Sequence, residues 1–315
     1  MGTQRHVKVR NKAVAPERNM ANNGAHHRQR YQGAPRPMQL SFSTLGCPDA
    51  DVDEVLALAG EHGATGVELR MHEGGIISAS MDDAERGKVK TAFADAGITI
   101  LAVGSYVKIC APGKDIDVFR ELEAALRLAA DIGAKAVRVF PGAGLDSTSE
   151  ADREEAFELE ENAVRRLTAA EGPAAMHGVQ LLLETHDSHP RGVDAARILF
   201  PLGPQGAVRT IWDVLHPWKR GEEPEATVKA LAGRIEYLQL KDARRGSTAD
   251  APILTLPGEG DIPLEKMLRL YGEQAPTGVD PWVSLEWEKA WNPDLPELGE
   301  ALAATRKILD SLSSS

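Results

Sequence analysis

Short apolar runs alternate with longer amphipathic segments from residue 38 to the C-terminus. Apolar runs bounded by glycine or polar residues predict buried strands, and segments with apolar residues at helical spacing predict helices. The pattern predicts eight strand–helix units, and each of the first seven helices ends near a glycine. The predicted strands are residues 38–43, 65–70, 98–104, 134–140, 179–185, 208–213, 235–240 and 281–286. The predicted helices are residues 48–62, 81–96, 116–132, 149–170, 192–200, 223–232, 263–271 and 295–312.

The order of these units predicts the fold. Continuous apolar strands joined by helices imply a parallel sheet whose outer face is covered by helices. Eight such units in 315 residues match a closed (β/α)8 TIM barrel of the α/β class better than an open, doubly wound sheet. No G-x-G-x-x-G motif follows the first strand, so a dinucleotide site of the doubly wound type is not supported.

Residues 1–37 differ in composition from the rest of the chain. They are rich in Arg, Lys, Asn, Gln and His, contain almost no acidic residue, and show no apolar periodicity. This composition predicts a disordered basic leader, and a basic arm for an acidic partner is the alternative interpretation. The segment also lacks the apolar core of a secretory signal. We therefore divide the chain into a leader, residues 1–37, and one barrel domain, residues 38–315.

Net charge, hydropathy and cysteine content limit the binding partners and the cellular compartment that we expect. The net charge of −11 argues against a track for nucleic acid, which needs a basic face. No apolar run approaches the ~20 residues that span a membrane. The two cysteines, Cys47 and Cys110, lie far apart in the sequence and suggest neither a disulfide framework nor a zinc knuckle. We expect a cytoplasmic protein that binds neither nucleic acid nor membrane.

Four polar residues lie at or just before the last residue of the last four predicted strands. They are Glu184, Asp213, Gln239 and Glu286. An acidic side chain is costly in an apolar strand unless compensating charge surrounds it. The carboxyl ends of the strands form the functional face of a (β/α)8 barrel. Three carboxylates and one amide oxygen at this face predict an oxygen-rich site for Mn²⁺ or Mg²⁺.

The motifs around these residues resemble the xylose isomerase-like TIM-barrel superfamily, and within it the sugar phosphate isomerase/epimerase group. The resemblance covers nearly all of residues 38–315. The motifs are GATGVELR at the second strand, IGAKAVRVFPG at the fourth, LLLETH at the fifth, IWDVLHP at the sixth, YLQLKDA at the seventh, LPGEGDIP in the following loop, and VSLEWEK at the eighth.

The resemblance implies a set of metal ligands. The family pattern is Glu, Asp, His and Glu on strands five to eight, which corresponds here to Glu184, Asp213, Gln239 and Glu286. Gln239 stands where His is usual, and hydroxypyruvate isomerase-like members are similar in having Gln there. The substitution makes the site harder and less zinc-like. One divalent ion is implied, with Mn²⁺ expected and Mg²⁺ or Co²⁺ as alternatives.

The implied activity is a metal-dependent isomerisation or epimerisation of a sugar or sugar derivative. The reaction removes a proton beside a carbonyl and passes through an enediolate that the metal ion stabilises. In similar epimerases the first and last glutamate ligands transfer this proton, which implies catalytic roles for Glu184 and Glu286. The family's D-x-x-H pair corresponds to Asp213 and His216 and implies that His216 lies near substrate and metal.

Several residues after the same strands are candidates for binding a small carbohydrate. An indole face can pack against the C–H face of a sugar, and Trp218, Trp287 and Trp291 all fall in loops beside the proposed site. A lysine can bind a phosphate or hydroxyl, or it can pair structurally with the neighbouring Asp242. The candidate substrate-binding residues are His186, His216, Lys241, Trp218 and Trp291.

Three other functions compete with the isomerase. The first is a lyase or hydrolase acting on oxidised glycosides, similar to the C-glycoside-deglycosylating members, which work with a small partner subunit. The second is an apurinic-site endonuclease, which needs a histidine-rich zinc cluster that this chain does not offer. The third is a metal-free binding barrel, against which the intact ligand set argues. The sequence leaves open which substrate is used, whether that substrate is phosphorylated, and whether the chain forms a homo-oligomer.

Overall fold

The computed structural model describes residues 37–145, 150–203, 208–275 and 278–314. Eight parallel strands close into a barrel in the order β1-β10-β7-β6-β5-β4-β3-β2, so the predicted (β/α)8 fold is confirmed. The barrel strands are β1 Gln39–Ser43, β2 Gly66–Arg70, β3 Thr99–Lys108, β4 Ala136–Phe140, β5 Gln180–Glu184, β6 Val208–Asp213, β7 Ile235–Leu240 and β10 Trp282–Leu285. The predicted leader, apart from residue 37, lies outside the described residues.

Helices connect the strands on the outside of the barrel. They are α1 Val52–His62, α2 Asp83–Asp95, α3 Asp115–Ile132, α4 Glu150–His177, α5 Gly192–Leu199, α6 Leu215–Lys219, α7 Pro224–Ala230, α8 Leu264–Gln274 and α9 Leu298–Ser313. Asp51 begins α1 with a capping box that it forms with Glu54, and Gly63 ends the helix with φ 64°, a conformation that favours glycine. Among the described residues, no helix is both long and apolar enough to cross a membrane.

Helix α4 extends farther than the sequence pattern predicts. The predicted helix ends at residue 170, whereas α4 continues to His177 with Pro173 inside it. A proline removes one helical hydrogen bond, but Ala170 and Ala174 on either side of it are buried against the core. Packing on this face therefore maintains the helix through the proline.

A hairpin after β7 was not predicted. Its strands, β8 Asp242–Arg244 and β9 Ile253–Thr255, pair antiparallel outside the barrel. The Asp242 carboxylate accepts backbone hydrogen bonds from Gly258 at 2.8 Å and Gly260 at 3.0 Å. A Cβ at Gly260 would overlap this carboxylate. Asp242 thus organises the loop and does not pair with Lys241. Of the two roles predicted for Lys241, structural pairing with Asp242 is therefore wrong.

The strand register places the polar residues in one layer of the barrel interior. Asp213 of β6 is the strand partner of Gln239, and the Glu286 N–H donates to the Leu240 carbonyl at 3.0 Å. Side chains two residues apart share one face of a strand. The preceding layer is therefore apolar, and it consists of Ala102, Ala136, Leu182, Ile211 and Tyr237. This layer closes the polar site from below.

Candidate active site

Three acidic side chains meet at the carboxyl end of the barrel. Oxygen atoms of Glu184, Asp213 and Glu286 all lie within 4.8 Å of one another. The three residues are 0%, 0% and 6% exposed. Because carboxylates repel each other and lose hydration on burial, such a cluster needs positive charge close to it.

Gln239 joins this cluster through its register with Asp213. Its Nε2 donates a hydrogen bond to Glu68 Oε2 at 2.9 Å, which assigns the other end of the amide as the acceptor. Gln239 Oε1 is buried and receives no hydrogen bond from the described part of the chain, and the same is true of Glu184 Oε1. Buried oxygens rarely stay unpaired, so these two free acceptors fit a bound cation.

Two buried cations contact the carboxylates. Arg138 Nη1 donates to Glu184 Oε2 at 2.8 Å and lies 3.9 Å from Glu286 Oε1. Lys241 Nζ lies 2.9 Å from Asp213 Oδ2, 2.5 Å from Glu286 Oε2 and 2.7 Å from Glu288 Oε1. Each of the three clustered carboxylates thus has a positive side chain beside it that fixes its orientation. Lys241, a predicted substrate contact, is only 1% exposed and is fully engaged by these carboxylates.

The two glutamates differ in proton affinity. Burial raises the pKa of Glu184 to about 7, against the opposing effect of Arg138. Burial also acts on Glu286, but Lys241 and Arg138 outweigh it and lower the pKa of that carboxyl. Burial raises the pKa of Asp213 to about 6 despite the neighbouring Lys241. Neighbouring carboxyl groups with different proton affinities are typical of acid–base sites.

Glu68 on β2 supports the site from the barrel interior. It is 3% exposed and accepts hydrogen bonds from Tyr237 Oη at 2.7 Å, from Gln239 Nε2, and from Ser284 Oγ. Burial raises its pKa, with a further contribution from Glu286. Neither Glu68 nor Arg138 was singled out from the sequence, although each is a charged residue in the middle of a largely apolar strand.

Two histidines line one side of the carboxylates. The ring centroids of His186 and His216 are 4.2 Å apart, and ring nitrogens of both lie within 4.8 Å of a Glu184 oxygen. His216 Nε2 lies 3.7 Å from Asp213 Oδ2, and neither of its ring nitrogens has a hydrogen-bond partner among the described residues. Burial lowers its pKa, so the ring is held neutral and able to bind a hydroxyl group.

The three tryptophans considered for the pocket lie in different surroundings. Trp291 is 57% exposed, and the Arg70 guanidinium lies 4.6 Å from its ring centroid. Trp218 is buried beneath the Arg245 guanidinium. Trp287 is fully buried and donates to the Pro296 carbonyl at 2.8 Å, so it belongs to the core and not to a pocket.

The cysteines take no part in this arrangement. Both are free thiols. Burial raises the pKa of Cys47 to about 12, with a smaller contribution from Glu54, and burial also raises the pKa of Cys110. A thiol with a raised pKa is a poor nucleophile.

Comparison with protein families identifies the fold at the level of a family. The family model described as xylose isomerase-like TIM barrel matches residues 56–308. The chain belongs to this family. Among curated proteins, none shows a significant match to the chain. The match extends from α1 to α9 and includes all four residues proposed as ligands.

Solved structures with the same fold carry several different names. The IOLI protein with a bound zinc atom has a TM-score of 0.67 at 18% identity, covering 88% of this chain and 98% of that one. The 3-keto-D-glucoside 4-epimerase YcjR from E. coli has a TM-score of 0.65 at 15% identity, covering 88% and 100%. The probable 3-DHS dehydratase AsbF from Bacillus anthracis has a TM-score of 0.66 at 18% identity, covering 87% and 99%. At these identities the similarity shows the shared barrel.

Proposed function

We propose that this barrel is a divalent-metal-dependent isomerase or epimerase of a sugar or sugar derivative. The observation that carries the proposal is the cluster of Glu184, Asp213 and Glu286, whose buried oxygens lie within 4.8 Å of one another at the functional end of a (β/α)8 barrel. An epimerase of a keto-glucoside and a zinc-containing protein among the structural relatives support it.

The donor set favours a hard divalent ion. The residues that would hold it are Glu184, Asp213, Gln239 and Glu286. Two of the ligand atoms would be Glu184 Oε1 and Gln239 Oε1, which receive no hydrogen bond from the described residues. Oxygen donors suit Mn²⁺, and also Mg²⁺ or Co²⁺, better than a thiolate-preferring ion. When bound, the ion supplies a Lewis acid that lowers the cost of negative charge on the substrate's carbonyl oxygen.

The chain's own residues would transfer the proton. Glu286, whose carboxylate is kept ionised by Lys241 and Arg138, removes the proton from the carbon beside the carbonyl. Glu184, whose pKa is raised by burial to about 7, is the group that returns a proton. His216 binds a substrate hydroxyl through its free ring nitrogens. The apolar layer beneath the site excludes water from the enediolate.

Metal content tests this proposal directly. Protein purified without chelator is expected to contain about one Mn, Mg or Co ion per chain, and Glu286→Ala is expected to lose it because one of four ligands is missing. Elemental analysis of both proteins provides the measurement. A wild-type protein that holds no divalent ion even in excess would overturn the metal-dependent mechanism.

A metal-free binding barrel is a second candidate, and one observation favours it. Lys241 Nζ already contacts both Asp213 and Glu286, so an ammonium group supplies part of the charge that an ion would bring. If Lys241 only compensates this charge, the Lys241→Met variant is expected to be less stable than wild type, with no change in metal content. In a metal-dependent enzyme, Lys241 would keep its contact with Glu288, whose Oε1 lies 2.7 Å from Nζ.

The hydrogen bond from Gln239 to Glu68 is expected to orient the amide ligand. Glu68→Met removes the acceptor and lets the amide rotate, so Mn²⁺ affinity is expected to fall about 10- to 100-fold. Calorimetric titration with Mn²⁺ measures this change. Tyr237→Phe is the matched control, because it removes another donor to Glu68 and leaves the Gln239 bond in place. Equal affinity in Glu68→Met and wild type would show that the amide is oriented by other contacts.

A further inference from the structure

Arg70 occupies the mouth of the barrel in an unusual environment. It ends β2, on the same edge as the carboxylate cluster. Its Nε donates to Tyr106 Oη at 2.6 Å, and its Cζ lies 4.6 Å from the Trp291 ring centroid and 5.6 Å from that of Tyr106. A phenol and an indole therefore hold the guanidinium in a fixed orientation.

No acidic side chain among the described residues pairs with Arg70. In the part of the chain that the structure describes, Arg70 forms no ion pair, and Nε is the only guanidinium nitrogen with a hydrogen bond. The chain as a whole is acidic, with a net charge of −11, so carboxylates are abundant. A fixed guanidinium whose two terminal nitrogens are free presents the fork that binds a carboxylate or phosphate through two hydrogen bonds.

The partners of Arg70 are exposed although they are large and aromatic. Tyr106 is 40% exposed and Trp291 is 57% exposed. They come from different segments, β3 and the loop after β10, and they converge on one arginine. Exposed aromatic side chains grouped around a cation are typical of ligand-binding surfaces.

Tyr106 connects Arg70 to the carboxylate cluster. The Arg138 guanidinium carbon lies 5.8 Å from the Tyr106 ring centroid, and Arg138 also donates to Glu184. One phenol ring thus separates Arg70 from the cation that holds a proposed ligand. The Phe140 ring centroid lies 6.1 Å from that of Tyr106, and the His186 ring centroid lies 4.4 Å from that of Phe140. These rings form a continuous wall from the mouth to the cluster.

We propose that Arg70 binds an anionic group, a carboxylate or phosphate, at the end of the substrate remote from the reacting carbon. This inference rests on the proposed function and narrows its substrate class from sugars in general to sugar acids or sugar phosphates. The aromatic wall packs against the carbon chain between the two ends. Arg70 is a specificity residue, and it takes no part in proton transfer.

Three polyols of matched length distinguish the possible ligands. D-glucitol is neutral, D-gluconate carries a carboxylate, and D-glucitol 6-phosphate carries a phosphate. Their dissociation constants are measured by calorimetry with Mn²⁺-loaded wild type and with Arg70→Gln. We expect wild type to bind one of the two anions at least about 10-fold more tightly than D-glucitol, and we expect Arg70→Gln to lose that preference. Which anion is preferred identifies the source of the charge.

Arg245→Gln is the matched control. Arg245 also stacks on a tryptophan, with its Cζ 4.4 Å from the Trp218 ring centroid, but no ring connects it to Arg138. This variant is expected to keep the wild-type preference. Equal binding of the neutral and charged polyols to wild type, or an anion preference that survives in Arg70→Gln, would overturn the inference. Binding of none of them would overturn it too, and metal analysis of the same samples then shows separately whether the metal-dependent mechanism stands.

Discussion

Replacement of Glu286 by glutamine is expected to slow solvent deuterium uptake by a ketose about 100- to 10,000-fold. Glutamine keeps an oxygen that can ligate an ion but cannot accept the proton. Glu286 is the carboxyl group best suited to this step, because Lys241 at 2.5 Å and Arg138 at 3.9 Å stabilise its ionised form. Deuterium incorporation followed by NMR, with Mn²⁺ in excess, provides the measurement.

Glu288→Gln is the matched control for this experiment. Glu288 contacts the same lysine, Lys241, at 2.7 Å, but it is not among the clustered carboxylates. The same chemical change there is expected to alter exchange far less. Metal analysis of both variants separates loss of the base from loss of the ion. Exchange at the wild-type rate in metal-loaded Glu286→Gln would exclude Glu286 as the base.

The second large effect is expected on stability. Arg138→Met leaves the Glu184 carboxylate buried without its donor and next to two other carboxylates. Removing one partner of a buried ion pair typically lowers the free energy of unfolding by about 3–5 kcal/mol. Denaturant unfolding of wild type and variant, without added metal, measures the difference. Excess Mn²⁺ is expected to recover part of the loss, since a bound cation stabilises the folded state.

Arg127→Met gives the comparison for a surface ion pair. Its Nε lies 2.7 Å from Glu123 Oε1, but the two side chains are 65% and 38% exposed. Exposed pairs of this kind contribute about 0–1 kcal/mol. A loss in Arg138→Met no greater than that in Arg127→Met would mean that Glu184 is neutral or solvated in the folded protein.

The sequence alone predicted the order of the eight strand–helix units, because apolar runs, helical spacing and glycine at helix ends are local signals. It also placed Glu184, Asp213, Gln239 and Glu286 at strand ends. In a closed parallel barrel, strand ends meet at one edge, and the structure brings the three carboxylates together there. Hairpin β8–β9 was missed because its stability comes from Asp242 and loop N–H groups up to 20 residues away.

Only the tertiary structure revealed Glu68 and Arg138 as members of the site. Both lie within apolar strands that are buried on both faces, so no alternation of polar and apolar residues marks the interior face. Register then decides which charges meet, as it does for Asp213 and Gln239. The grouping of Arg70, Tyr106 and Trp291 depends on loop paths that no local pattern encodes. Local residue patterns therefore determined the fold and the strand-end positions of the proposed ligands, whereas the pairing of distant charges depended on how the barrel closes.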